Sequence, residues 1–162
     1  MKCFNVGILG TGSIAQSMAF TLNALKDKGE VVPYPIASRS LKKAENFARE
    51  WHFEKAYSSY EALVSDPAVD LIYIATPHSL HYEHALLCLN HSKNTLVEKS
   101  FTANALQAQE LLSLAADKKV LLAEAIWTRY MPSRKIIADL LASGAIGRFT
   151  TLNATFSVPI HE

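Results

Sequence analysis

Hydrophobic residues along the chain follow two alternating patterns. Short runs that are apolar at nearly every position are followed by longer segments whose apolar residues recur every three or four positions. Continuous apolar runs are typical of strands buried on both faces, and a period of about 3.6 residues is typical of helices that cover a sheet. The runs predict strands at residues 4–9, 31–37, 55–58, 70–76, 94–99 and 119–125. The periodic segments predict helices at residues 13–26, 41–51, 60–64, 80–90 and 102–117.

Strands that alternate with amphipathic helices predict a parallel sheet covered on both faces. The predicted fold class is therefore α/β, a doubly wound parallel sheet of the Rossmann type. Two residues of the N-cap type, Ser40 and Thr102, stand at the starts of the second and the last of these helices. Pro33 and Pro35 weaken the first half of the second strand, because proline cannot donate a hydrogen bond to a neighbouring strand.

The pattern changes after residue 125. A helix is predicted at residues 133–142, and the alternating segment at 148–158 is typical of an antiparallel strand. A single strand without a partner is not stable. Either this strand adds to the edge of the sheet or the natural protein continues beyond residue 162, and we favour the second. We therefore interpret residues 1–125 as one domain. Residues 126–162 are interpreted as a linker helix and the first strand of a second, α+β domain that is cut short.

The composition is that of an ordinary globular protein, with 49% hydrophobic and 19% charged residues among 162. The formal net charge is +1 and no long basic block occurs, which argues against a nucleic-acid partner and a polybasic membrane patch. No apolar run approaches the ~20 residues of a membrane-spanning helix, and the N-terminus lacks a signal-peptide pattern. Cys3 and Cys88 cannot form a disulfide framework, so we expect two reduced, mostly buried thiols in a cytoplasmic protein.

A glycine-rich loop follows the first predicted strand and opens the first predicted helix. It has the pattern G-x-G-x-x-A, with the residues Gly10, Thr11, Gly12, Ser13, Ile14 and Ala15. The first glycine permits the tight turn, the second lets a pyrophosphate approach the backbone, and the alanine allows close helix–strand packing. Free N–H groups at the helix start bind phosphate. The loop therefore predicts a dinucleotide site; a tight turn without a ligand is the less favoured alternative.

The segment after the second predicted strand indicates which dinucleotide binds. An acidic residue about 20 positions beyond the glycines holds the ribose 2′-hydroxyl of NAD. Here the chain has no acid at that point but has Ser38, Arg39, Ser40, Lys42 and Lys43. A guanidinium and an ammonium beside hydroxyl groups suit a 2′-phosphate, so NADP is the predicted cofactor and NAD the alternative. The cations could also belong to a solvated helix start, where they are unfavourable to the helix dipole.

Ligands of doubly wound folds lie at the carboxyl ends of the strands. Thr76, Pro77 and His78 follow the fourth strand and are predicted to lie beside the nicotinamide ribose. His81, at the start of the next helix, is predicted to face the same cleft. A zinc site is the alternative use of these histidines. It is not favoured, because no recognised ligand set has the spacing of His78, His81, His84 and His91.

Two charged residues, Glu98 and Lys99, end the fifth predicted strand directly after its apolar run. A lysine at this end of a strand points into the ligand cleft, where it can exchange a proton with a substrate hydroxyl or carbonyl. The alternative is a structural ion pair at the top of the sheet. After the sixth strand, Trp127 and Arg129 are predicted to line the cofactor and substrate cleft, with packing between domains as the alternative.

The chain resembles one family of oxidoreductases, which includes glucose–fructose oxidoreductase, inositol dehydrogenase and MocA-type proteins. The resemblance covers nearly the whole chain and rests on the segments GILGTGSIA, ASRS, AYSSYEALVSDPAVDLIYIATPHSLHYEHALLCL, TLVEKSF and LLAEAIWTRYMP. Within the family, ASRS and EAIWTRYMP are most similar to the branch of dimeric dihydrodiol dehydrogenases and NADP-dependent D-xylose dehydrogenases.

The resemblance implies NADP-dependent oxidation of a ring hydroxyl in a sugar, a polyol or a trans-dihydrodiol. It implies that Lys99 acts at the reacting hydroxyl and that His81 lies near the substrate. Arg39 and Lys43 would hold the 2′-phosphate. Trp127 and Phe156 would contribute to the substrate pocket.

Members of the family are about twice as long as this chain. Their second domain, an open antiparallel sheet, supplies further catalytic residues and the dimer surface. The resemblance therefore implies a homo-oligomer for the full-length protein, and the present chain is expected to be inactive by itself. The family signature Glu-Lys-Pro reads Glu98-Lys99-Ser100 here, so the rigidity that proline gives to the loop is in question.

Two other functions remain open at this point. One is a non-catalytic dinucleotide-binding module that senses the state of the cofactor and acts through a partner. The other is a transferase that uses a bound, non-dissociating cofactor. The retained Glu98, Lys99 and Trp127 favour a dehydrogenase over the non-catalytic module, whereas a nucleotide that copurifies with the protein would indicate the transferase.

Overall fold

The computed structural model describes residues 3–155 and 157. Among them, six strands form one parallel sheet, β1 (Phe4–Leu9), β2 (Val31–Ala37), β3 (Lys55–Tyr57), β4 (Leu71–Ile74), β5 (Asn94–Val97) and β6 (Leu122–Glu124). The helices between the strands are α1 (Ser13–Lys26), α2 (Leu41–Trp51), α3 (Tyr60–Val64), α4 (His81–Asn90) and α5 (Ala105–Lys118). A further helix, α6 (Pro132–Ala142), follows the sheet.

The strand order is β3-β2-β1-β4-β5-β6. The chain runs outward from β1 to β3 and then returns to pair β4 with the other side of β1. The direction of winding therefore reverses between β1 and β4, and this switch point is where doubly wound folds bind ligands. The prediction of a doubly wound parallel sheet is confirmed.

Two apolar layers cover the two faces of the sheet. Ile8, Ile36 and Tyr73 pack in one layer with buried residues of α1 and α2. Leu9 and Ile74 pack in the other layer with buried residues of α4 and α5. Neighbouring residues of a strand point to opposite faces, so strands covered on both sides are apolar at nearly every position.

The two prolines of β2 are accommodated by an irregularity in its pairing with β1. Val6 pairs with Pro33, but Ile8 pairs with Ile36, so β2 carries one extra residue at this point. A side chain on Gly7 would come within 3.0 Å of the Pro35 ring, so the missing side chain makes room for that proline.

Helix capping follows the sequence prediction at one helix and departs from it at another. Ser40 caps α2, with its Oγ accepting from the N–H of Lys43 at 3.4 Å. The predicted cap Thr102 is wrong, because α5 begins at Ala105 and is capped by Asn104. Asn104 Oδ1 accepts from the N–H of Gln107, whereas the Thr102 hydroxyl donates to the Asn104 carbonyl and shapes the loop before the helix.

The chain divides into two units, Met1–Ala125 and Ile126–Glu162. The second unit contains a 3-10 turn, Trp127–Tyr130, and α6. Its described residues 148–155 and 157 contain no strand, although their alternation predicts one, and an isolated strand has no hydrogen-bonding partner to stabilise it. No helix in the described part of the chain is long and apolar enough to span a membrane. Both cysteines are free; Cys88 is buried, but Cys3 is exposed, contrary to expectation.

Candidate functional site

A cavity of about 450 Å³ opens at the carboxyl ends of β1, β2 and β4. It is lined by Gly10, Thr11, Gly12, Ser13, Ile14, Ser38, Arg39, Ser40, Lys43, Tyr60, Ala75, Thr76 and Pro77. The structure thus brings the glycine loop, the cations after β2 and the residues after β4 to one place. This is the place that the strand order and the sequence predict for a dinucleotide.

The two glycines of the loop have different environments. Gly10 has a φ of +103°, and a Cβ there would lie 2.8 Å from the carbonyl oxygen of Ala75, so only glycine is compatible with this turn. A Cβ on Gly12 would meet no atom within 4 Å, because this residue faces open space. The backbone at Gly12 is therefore free to be approached closely by a ligand.

The first turn of α1 has backbone N–H groups available for an anion. Its N-cap residue is Gly12, and no side chain caps the helix. The first turn also contains no acidic residue. Uncapped N–H groups and the positive end of the helix dipole favour a phosphate at this position.

Arg39 and Lys43 line the cavity on the β2 side, and no acidic side chain is among the lining residues. Ser38 is buried, and its Oγ accepts from the N–H of Ser40, while the Ser40 hydroxyl caps α2. These hydrogen bonds fix the turn that carries Arg39 and place the start of α2 at the cavity. A phosphate in the cavity would meet a guanidinium and an ammonium.

One wall of the cavity is aromatic, and no motif in the sequence indicates it. Tyr60 lines the cavity, and its ring packs edge-to-face against His84 with the centroids 4.6 Å apart. His84 Nδ1 lies 2.8 Å from the Thr76 hydroxyl, which also lines the cavity. Burial lowers the pKa of His84, and burial also raises the pKa of the Tyr60 hydroxyl, an effect that the charge of Arg39 opposes. Burial therefore disfavours the charged forms of both side chains.

The segment that follows β5 is held by buried side chains. Glu98 is buried; its Oε1 accepts from the Tyr73 hydroxyl at 2.5 Å, and its Oε2 accepts from the N–H of Lys99 at 3.0 Å. On the other side of the loop, Glu124 Oε1 accepts from the N–H of Phe101 at 3.0 Å. The peptide bond between Lys99 and Ser100 is cis.

The suggested ion pair between Glu98 and Lys99 is not present among the described residues. The carboxylate is engaged by a hydroxyl and by a main-chain N–H instead. The side chain of Lys99 is exposed. The two charged residues at the end of β5 therefore have different environments. The Glu98 carboxylate is buried and fixes the loop, whereas Lys99 is exposed to solvent.

His81 does not face the cleft as predicted. Its side chain is completely buried, with Nδ1 2.7 Å from the carbonyl oxygen of Ser100 and Nε2 2.9 Å from that of Thr76. Both ring nitrogens lie within hydrogen-bonding distance of a main-chain carbonyl group, because the ring lies between the end of β4 and the loop after β5. The neighbouring His78 is exposed and packs edge-to-face on His81, but it is not among the residues that line the cavity.

The family model of the GFO/IDH/MocA oxidoreductases, described as an oxidoreductase family with an NAD-binding Rossmann fold, matches residues 4–126. The chain belongs to this family.

Curated relatives within the Gfo/Idh/MocA family are similar to almost the whole chain. The trans-1,2-dihydrobenzene-1,2-diol dehydrogenase of Xenopus tropicalis is 40% identical over 156 residues, which are 96% of this chain and 47% of that protein. The NADP-dependent D-xylose 1-dehydrogenase of Hypocrea jecorina is 41% identical, over 94% of this chain and 41% of that protein. The chain thus spans less than half the length of these relatives.

Solved structures of oxidoreductases share the fold of this Gfo/Idh/MocA chain. Levoglucosan dehydrogenase in complex with NADH and levoglucosan matches with a TM-score of 0.83 at 25% identity, over 91% of this chain and 41% of that one. A 3-ketoreductase from Actinomadura kijaniata in complex with NADP and TDP-benzene matches with a TM-score of 0.79 at 30% identity, over 88% of this chain and 43% of that one.

Three predicted site residues of this family member lie in the second unit. Trp127 and Arg129 belong to the 3-10 turn that opens it. Phe156 lies outside the described residues. Among the residues that the structure describes, no group of three or more potential metal ligands lies together.

Proposed function

We propose that this chain is the NADP-binding part of a dehydrogenase that oxidises a ring hydroxyl of a sugar, a polyol or a trans-dihydrodiol. The observation that carries the proposal is the cavity in which Arg39 and Lys43 stand beside the glycine loop, in a chain of the Gfo/Idh/MocA family. Relatives named as a dihydrodiol dehydrogenase and an NADP-dependent D-xylose dehydrogenase support this substrate class.

The residues of the cavity are suited to hold NADP. Open space at Gly12 and the uncapped first turn of α1 suit the pyrophosphate. Arg39 and Lys43 would bind the 2′-phosphate, since a guanidinium and an ammonium form charge-assisted hydrogen bonds with phosphate. Thr76 and Pro77 would lie toward the nicotinamide end, at the carboxyl end of β4. NAD could occupy the same cavity without its phosphate contact.

Lys99 is the proposed catalytic residue. Oxidised NADP, held in the cavity, would supply the acceptor for the hydride that leaves the carbinol carbon of the substrate. Lys99 would orient the hydroxyl and help to move its proton, because its side chain is exposed at the carboxyl end of β5 while its main chain is fixed through Glu98. His81 would contribute by holding the Ser100 carbonyl, and so the loop, rather than by touching the substrate.

The remaining features of the whole protein are also proposals. Residues 126–162 would begin a second domain that completes the substrate pocket, with Trp127, Arg129 and Phe156 contributing to it. His78 and Glu98 would support the nicotinamide end of the cofactor from outside the cavity lining. A homo-oligomeric assembly, a cytoplasmic location and the inactivity of this chain by itself remain predictions.

Calorimetric titration of this chain with NADP and with NAD tests the cofactor assignment. We expect NADP to bind at least about tenfold more tightly, because hydrogen bonds to charged groups contribute roughly 1.5–3 kcal/mol. Arg39→Ala should remove most of this preference. Lys42→Ala, which removes a neighbouring cation that does not line the cavity, should preserve it. Equal affinity for NADP and NAD in the parent chain would refute the role of Arg39.

A further inference from the structure

The strand β4 carries one hydroxyl group in an otherwise aliphatic run. Tyr73 lies between Ile72 and Ile74, is almost completely buried, and belongs to the apolar layer that covers the α1 and α2 side of the sheet. Burying a phenol there is costly unless its hydroxyl has a partner. Its partner is the Oε1 atom of Glu98, at 2.5 Å.

Strand register explains how this contact forms. Tyr73 pairs with Leu96 of β5, and Glu98 is two residues further along the chain. Residues two apart point to the same face, so Glu98 emerges on the side of the sheet that Tyr73 occupies. The Tyr73 ring thus reaches diagonally across to the carboxylate at the end of the neighbouring strand.

Both carboxylate oxygens of Glu98 are engaged. Oε1 accepts from Tyr73, and Oε2 accepts from the main-chain N–H of Lys99. The carboxylate of Glu98 and the ammonium of the adjacent Lys99 belong to flexible side chains, which would otherwise be free to rotate and pair. Here the Tyr73 hydroxyl holds Oε1 of Glu98 on the face of the sheet that α1 and α2 cover. The other oxygen, Oε2, therefore stays hydrogen-bonded to the main-chain N–H of Lys99.

We propose that Tyr73 is a positioning residue, whose hydroxyl holds Glu98 so that this carboxylate fixes the main chain of Lys99 instead of pairing with its ammonium group. In the proposed reaction, the main chain of Lys99 is then held in place while its ammonium group is not paired with Glu98. The inference rests on the proposed function for its catalytic consequence, whereas the link from Tyr73 through Glu98 to Lys99 rests on the geometry alone.

The first test follows the Lys99 amide in this chain by hydrogen exchange. Tyr73→Phe removes only the hydroxyl, so we expect faster exchange of the Lys99 N–H. The Glu98 N–H, which donates to the Ile74 carbonyl, should be unchanged. Tyr34→Phe is the matched control, because Tyr34 is also a buried tyrosine of the sheet but lies on β2. Unchanged exchange at Lys99 would overturn the link.

The second test measures turnover in the polypeptide that is active, whether this chain or this chain with the proposed second domain. Tyr73→Phe should lower kcat at least about tenfold, since small misplacements of a catalytic group are costly, and leave KM for NADP within about twofold. A residue needed only for folding would instead lower the active fraction and leave kcat per folded molecule unchanged. An unchanged kcat would overturn the positioning role.

Glu98→Met serves if Tyr73→Phe does not fold. Its side chain has no oxygen to accept from either the Tyr73 hydroxyl or the Lys99 N–H, and a thioether sulfur is only a weak acceptor. We expect the same faster exchange at Lys99 and the same selective loss of kcat, and full retention of both would overturn the proposal. If the parent protein shows no NADP-linked turnover, the proposed function fails, but the exchange measurement still decides the link.

Discussion

The Nδ1 atom of His81 lies 2.7 Å from the carbonyl oxygen of Ser100, and the other nitrogen of the same ring lies 2.9 Å from the carbonyl oxygen of Thr76. Carbonyl oxygens only accept hydrogen bonds, so the ring is the donor toward these two main-chain groups. A single buried side chain thus connects the end of β4 with the loop that carries Lys99.

Replacing this ring should destabilise the protein. His81→Leu would leave the buried carbonyl group of Thr76 without this partner and would release the partly buried one of Ser100, so we expect the free energy of unfolding to fall by roughly 1–3 kcal/mol. Urea denaturation measures the change. His91→Leu is the control, because His91 also bonds a carbonyl through Nδ1 but is exposed. A loss below about 1 kcal/mol for His81→Leu would show that this connection is not important for stability.

Two alanine substitutions in the glycine loop should separate folding from binding. Gly10→Ala forces a side chain into a positive φ and to within 2.8 Å of the Ala75 carbonyl, so it should cost at least about 2 kcal/mol of stability. Gly12→Ala adds a methyl group in open space. Its stability should stay within about 1 kcal/mol of the parent chain, while its affinity for NADP falls at least about tenfold.

Denaturation and calorimetry of the two variants check this pair of expectations. Equal loss of stability in both would mean that the loop acts only as a turn. Unchanged NADP affinity in a folded Gly12→Ala variant would contradict close approach of the pyrophosphate to this residue.

The sheet could be predicted from the sequence because strands buried on both faces are apolar at nearly every position. The helical period of about 3.6 residues predicted the bounds of α1 and α2, since Ser13–Lys26 and Leu41–Trp51 coincide with the predicted segments. N-cap propensity did not distinguish Thr102 from Asn104, because both are residues of the N-cap type. Which of the two caps α5 depends on the path of the chain after β5. Alternation at residues 148–155 predicted a strand, but alternation cannot supply a pairing partner.

Only some of the residues that line the cavity could be predicted from the sequence. Motif residues such as Gly10 and Arg39 follow the strands directly, so the strand order alone places them together. No motif marks Tyr60 as a residue of the cavity, because an aromatic residue at the start of a short helix is typical of the hydrophobic core. The orientation of His81 was also beyond the sequence, since it depends on two carbonyl groups from separate loops.

Asp66 should make stability depend on pH in the acid range. Burial alone would raise the pKa of this carboxyl, but hydrogen bonds from the Tyr57 hydroxyl and the Ala68 N–H, with the Lys55 ammonium at 3.0 Å, lower it from 3.8 to about 2. The ionised group therefore stabilises the fold above pH 3.8, and this contribution is lost as the pH falls toward about 2.

Asp66→Asn should remove that pH dependence. Urea denaturation between about pH 5 and pH 2 should show a smaller decline in stability for the variant than for the parent chain. Asp139→Asn, which breaks an exposed pair with Lys135 on α6, should decline as the parent does, because exposed pairs contribute little. Parallel curves for Asp66→Asn and the parent would contradict the role of this carboxyl.

Lys99→Ala tests the proposed chemistry most directly. In the polypeptide that is active, kcat should fall by about 10²–10⁴, the usual contribution of a positioned acid or base, while NADP affinity stays within about twofold. The affinity is spared because Lys99 does not line the cavity that holds the proposed cofactor contacts. Oxidation of D-xylose and of trans-1,2-dihydrobenzene-1,2-diol, followed as NADPH absorbance, measures the change. Lys118→Ala is the control, since it removes an ammonium from the last turn of α5 and should leave kcat unchanged. Unchanged turnover in Lys99→Ala would contradict the catalytic role of Lys99.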